Sequence, residues 1–159
     1  MIEVLLIVLF FILIIISGAS EAVMDKLQFH WERSIFPVNP IKYQPYFWDP
    51  KISWKNKWSD HTYKKPKFLG STTLFVFTTD AWHLFKFIRN TSIFLAMFCG
   101  MFIYDLSLLY IIIMVVSGRS LYGCSFVLFF NKILEFNDPF QYIKDRRPGG
   151  GPANNQVIL

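Results

Sequence analysis

Apolar residues in this chain come in long blocks separated by short polar runs, not in single alternation. Val4 to Ile16 is unbroken hydrocarbon, Ser17-Gly18-Ala19-Ser20 follows, and no proline occurs before Pro37. Beyond the apolar run, Ser17, Glu21, Asp25, Gln28 and Glu32 recur at helical spacing, so one polar face continues the same helix. This predicts a first helix over about 3–35 that leaves the bilayer near Ser20. Ser17-Gly18-Ala19 also matches a small-residue cleavage site, but the short n-region carries Glu3 and no cation, and an uncleaved anchor is expected.

From Gly70 to Val116 the apolar pattern is too long for one crossing at about 1.5 Å per residue. The polar run Arg89-Asn90-Thr91-Ser92 is the expected bend, giving helices at about 71–88 and 92–117, the second with Asp105 near its middle. Ser117-Gly118-Arg119-Ser120 is expected to end that span, and a shorter apolar helix at about 121–135 follows. Thr72, Thr79, His83, Lys86 and Asn90 form a polar stripe, so 71–88 reads either as a span inside a bundle or as an extended approach to a helix capped by Thr79 or Asp80. Residues 137–159, with Arg146-Arg147-Pro148-Gly149-Gly150-Gly151-Pro152, read as a flexible basic tail.

Between the first two apolar blocks lies a different segment, 36–69. Pro37, Pro40, Pro45, Pro50 and Pro66 forbid long helices there, and Trp and Tyr interleave with Lys over Tyr43–Trp58. Rings at the lipid–water boundary and ammonium groups on phosphates explain that mixture, so the expected partner is a bilayer with anionic headgroups. The same residues could stack on single strands, but no nucleic-acid partner is expected.

Composition agrees with lipid as the solvent: 53% of the 159 residues are hydrophobic, 19% aromatic and 17% charged. A soluble domain of this size has too little interior for them. The fold class expected is therefore an all-α integral membrane protein, a small helical bundle of three or four membrane-associated helices in one domain, 1–136, with an irregular Trp-rich connector. Nine Lys/Arg lie between Lys26 and Lys67, which places the connector and the Lys144, Arg146 and Arg147 tail in the cytoplasm and the N-terminus outside. Parity then ties 71–88 to 121–135: if one spans, the other does not. Cys99 and Cys124 sit in apolar runs and make no zinc pattern.

Chemistry is sought first in Thr79-Asp80-Ala81-Trp82-His83, an acid and an imidazole three apart on one helical face. With Glu21 and Asp25, one turn apart on the first helix, Asp80 and His83 could hold a divalent zinc, manganese or iron ion. Its bound water would attack an ester or amide, which reads as a metal-dependent hydrolase acting on a membrane-embedded substrate, with Asp25, Asp80 and His83 as catalytic residues. His30 points away from the acidic stripe unless the helix breaks there, and His61 lies in the connector. The competing reading is a non-catalytic lock: Asp80 or Asp25 accepts from His83 or Trp82, and Lys86 neutralises the acid. Such a chain would be a membrane subunit, in a homo-oligomer or a larger complex, or a pore whose ion path includes Asp105.

Three stretches, Met24–His30, Phe47–Trp58 and Thr79–Phe85, resemble small uncharacterised multi-pass membrane proteins of Bacteroidota and their viruses. The resemblance covers roughly Ser17 to Phe87. It implies a bacterial inner-membrane location and carries no activity, cofactor or site residue.

Overall fold

The computed structural model describes residues 2–37, 45–60, 62–103 and 107–135. It is an all-α bundle. Helix α1 covers Ile2–Phe29, two short helices α2 (Pro45–Trp48) and α3 (Pro50–Ser53) lie in the connector, α4 covers Ala81–Met101, and α5 covers Leu108–Leu128 with a wider π turn at Phe129–Ile133. Three of these, Ile2–Phe29, Ala81–Met101 and Leu108–Ile133, are long and apolar enough to cross a membrane. Together they make a multi-pass integral membrane protein.

Helix α1 is the central element and packs against both α4 and α5. It runs antiparallel to α4 with contacts every seven residues. Gln28 bonds Trp82, Glu21 pairs with Arg89, and Ile14 packs against the buried cluster of Leu13, Ala96 and Cys99. Seven-residue spacing keeps one seam of each helix facing the other, as in a left-handed coiled coil. Helix α5 runs parallel to α1, and small residues set that contact. A Cβ on Gly18 would run into the Tyr122 carbonyl oxygen and Ser125 Oγ, and one on Gly118 would sit 3.3 Å from the Phe10 ring. Without a hydrophobic drive between helices in lipid, such close backbone approach supplies the van der Waals attraction. Ser17 and Gly18 of the cleavage-like Ser17-Gly18-Ala19 are buried, inside an unbroken helix.

The helix boundaries correct the sequence reading in three places. Helix α1, expected to reach about residue 35, ends at Phe29 and gives way to a 3₁₀ turn at Trp31–Arg33. Helix α4 runs straight through Arg89–Ser92, the expected bend, because Arg89 is paired with Glu21 and Ser92 is buried. Helix α5 runs through Ser117–Ser120, the expected end. The Ser117 hydroxyl donates to the Ile113 carbonyl (2.6 Å) and the Ser120 hydroxyl to that of Val116 (2.9 Å), so these side chains are satisfied within their own helix. The separate helices expected at 71–88, 92–117 and 121–135 are therefore replaced by two, one ending at Met101 and the other starting at Leu108. Ser71–Thr79 lies outside α4, as turns and a 3₁₀ segment. Asp105, His61 and the 137–159 tail fall outside the described residues.

One end of the bundle carries the connector. Its core is Ala22, Val23, Leu27, Phe36, Ala81 and Leu134, surrounded by aromatic rings. Trp31, Phe36 and Trp48 stack in sequence at 6.1 and 5.3 Å, and Trp48 continues to Phe85 at 6.1 Å. Ile35 N–H donates to the Leu134 carbonyl (3.1 Å), closing α5 onto the connector. The connector and the far end of α5 thus share one end of the bundle, and Ile2, Phe98 and Phe102 share the other.

Candidate functional site

The acid–His stretch forms the start of α4. Asp80 has extended backbone, and its Oδ1 accepts from the His83 backbone N–H at 2.9 Å, a helix N-cap that satisfies one of the four free amides of the first turn. The same carboxylate meets His83 Nδ1 at 2.7 Å, and Thr79 Oγ1 lies 3.2 Å from Oδ2 while donating to the Val76 carbonyl. Asp80 is 2% exposed. Asn56 of the connector donates to the Thr79 carbonyl (3.0 Å) and to that of Tyr46, which fastens the Trp-rich segment to the cap.

The other sequence candidates go elsewhere. Glu21 is bonded to Arg89 Nη1 across the α1–α4 seam, where the Ser17 hydroxyl also meets the Arg89 carbonyl at 3.4 Å. Tyr122 of α5 brings its hydroxyl beside Glu21, so all three spans meet at this node. Asp25 is half-buried, with Glu21 and His30 as its electrostatic neighbours. The helix ends at Phe29, and the His30 ring meets Phe130 edge-on at 5.1 Å. The lock reading also needs correction in detail: the Trp82 indole donates to Gln28 (3.1 Å), not to an acid, and Lys86 lies 4.9 Å over the Trp82 ring instead of beside Asp80.

The four candidate ligands fall into two separate pairs: Asp80 and His83 bond each other, and Glu21 and Asp25 neighbour each other one turn apart on α1. Among the described residues no group of three or more His, Cys, Asp or Glu is close enough to hold a metal ion. The arrangement can orient an imidazole and cap a helix.

Sequence reasoning overlooked the second charged lock. Lys26 counted only as a connector cation, yet it is 1% exposed, ion-paired with Glu135 and 4.0 Å from the Phe130 ring centroid. The two residues are 109 apart in sequence, so no spacing rule links them. Arg119 was also missed. It projects from the outer face of α5 next to Gly118, which packs on Phe10 and Ile14, in the middle of the apolar run of α1. Its Nη1 lies over Gly123, its guanidinium is 5.8 Å from the Tyr122 ring centroid, and among the described residues it forms no ion pair. A shallow groove of about 760 Å³ runs down this face, lined by Arg119, Ser120, Gly123, Cys124, Asn131 and Lys132 among others.

Comparison with protein-family models, curated proteins and solved structures gives no match to this chain.

Proposed function

We propose that the chain is a non-catalytic subunit of a membrane complex, docked through the outer face of α5, with its connector end in the cytoplasm. The observation that carries this is Arg119. A guanidinium at mid-span is costly to leave facing lipid, and such groups pair with a carboxylate or another polar partner. The other cations at the helix seams follow that rule, Arg89 with Glu21 and Lys26 with Glu135. Arg119 faces outward, beside Ser120, Gly123 and Cys124, which are small enough for another helix to approach closely. The occupant that fits is a transmembrane helix carrying Asp or Glu at the level of Arg119. This reading is preferred to the metal-dependent hydrolase because Glu21 is engaged by Arg89 and Asp80 by the helix cap and His83. The bacterial inner-membrane location rests on the resemblance and belongs to the proposal.

The test is the size of the complex extracted from its native membrane in mild detergent. Native gels should show the wild-type chain well above monomer mass, Arg119→Leu at monomer mass, and Arg119→Lys in part retained. Mass spectrometry of the larger species then separates a partner helix from a second copy. A wild-type monomer, or an Arg119→Leu complex of unchanged size, overturns the proposal.

A further inference from the structure

The segment Phe68–Phe75 is neither a span nor part of the aromatic core. Its backbone is nonetheless well bonded: Thr73 and Phe75 N–H both donate to the Gly70 carbonyl, at 3.0 and 2.8 Å, and Gly70 takes a positive φ of 82° to make the turn. The buried Ser71 hydroxyl donates to the Lys57 carbonyl (2.8 Å) and accepts from the Lys67 N–H (3.1 Å), which ties the turn to the Trp58–Pro66 hairpin. This tightly held backbone presents apolar side chains outward. Leu69 is 94% and Leu74 73% exposed, and Phe68 and Phe75 are exposed beside them. Lys64, Lys65 and Lys67 are exposed on the adjoining hairpin.

Position says what covers this surface. Phe75 lies near Phe77, with ring centroids 6.4 Å apart, and Phe77 stacks on Phe87 at 4.3 Å. Phe87 is two turns inside α4, about 10 Å beyond the Asp80 cap and toward the lipid-facing length of that helix. The Phe75–Phe77 stretch therefore lies alongside the first two turns of α4. We infer that the Phe68–Phe75 turn is a membrane-inserted wedge: Phe68, Leu69, Leu74 and Phe75 enter the acyl boundary of the leaflet at the connector end, and Lys64, Lys65 and Lys67 meet the phosphates of anionic lipids. Insertion to about 5–10 Å is the depth at which interfacial apolar faces bury. Bonding of the turn amides to Gly70 lowers the cost of taking that backbone out of water. The inference rests on α1, α4 and α5 as spans and is independent of the α5 docking proposal.

Site-directed spin labelling of the full chain in vesicles tests it. In a Cys99→Ala, Cys124→Ser background, nitroxides are placed at Leu69→Cys, Leu74→Cys and, as an aqueous reference, Thr62→Cys. In phosphatidylcholine vesicles with phosphatidylglycerol, the labels at positions 69 and 74 should be accessible to oxygen and shielded from a water-soluble nickel chelate, and the label at 62 the reverse. Lys64→Gln, Lys65→Gln and Lys67→Gln together should make both labels shallower with phosphatidylglycerol present and leave them unchanged without it. Nickel access at 69 and 74 equal to that at 62 overturns the wedge. Exclusion of both probes, the mark of a protein cover, overturns it as well. A phosphatidylglycerol response that survives the triple substitution overturns the lysine–phosphate contact.

Discussion

At Gly18 the backbones of α1 and α5 approach closely, and its replacement by alanine gives a prediction with an internal control. The added methyl would meet Ser125 Oγ, which can rotate away, and the Tyr122 carbonyl oxygen, which is fixed in the α5 backbone. Restoring ordinary contact opens the two helices by about 1 Å at that point. Overpacking of this kind costs about 1–3 kcal/mol. Against it, alanine gains up to about 1 kcal/mol in helix propensity over glycine. Gly100, near the end of α4, has nothing within 4 Å of the same methyl. Gly100→Ala therefore collects the propensity gain alone, and the difference between the two variants isolates the clash. Equilibrium unfolding of the purified protein in mixed micelles, followed by tryptophan fluorescence, should place Gly18→Ala below Gly100→Ala by about 1–3 kcal/mol. Equal stabilities, or Gly18→Ala the more stable, would refute the close α1–α5 crossing.

The buried ion pair should respond unequally to its two deletions. Glu135→Gln strands an ammonium that is 1% exposed and should cost about 3–5 kcal/mol, whereas Lys26→Met removes the buried charge, leaves the more accessible Glu135 and should cost less than about 1 kcal/mol in the same unfolding assay. In the connector hairpin, the Thr62 hydroxyl bonded to the Asp60 carboxylate holds that group below the ordinary aspartate range, helped by the Lys65, Lys64 and Tyr63 backbone. A depressed folded-state pKa stabilises the hairpin above the unfolded value, and that contribution is lost as pH falls through the folded one. Thr62→Val should move the Asp60 carboxyl titration upward, read from its ¹³C shift, and an unmoved titration would count against the bond.

How much was legible in sequence follows from how local each signal is. The apolar blocks gave the membrane and the helical class, because a run such as Val4–Ile16 has one physical explanation at that length. The N-cap at Asp80 was also legible, since its partner is the amide three residues on. Helix boundaries were not. Arg89–Ser92 and Ser117–Ser120 look like turns because polar residues inside an apolar stretch usually mark its end. Here Arg89 is satisfied by Glu21 on another helix, and the two serines by their own helix backbone. The Lys26–Glu135 lock was invisible for a related reason: it depends on how α1 and α5 are brought side by side, which no periodicity encodes. Four candidate ligands on matching faces suggested a metal, but a shared face does not fix depth. Seven-residue matching puts Glu21 opposite Arg89, two turns below the Asp80 cap.

On the proposed function, the charged groups between the spans hold helices together instead of forming a reactive site. The most direct measurement is the stability of Glu21→Arg, Arg89→Glu and the double exchange, in the same micelles. Each single reversal places like charges across the α1–α4 seam and should cost at least about 2 kcal/mol, and the double exchange should recover most of that loss. Additive losses, with the exchanged protein less stable than either single variant, would contradict the claim.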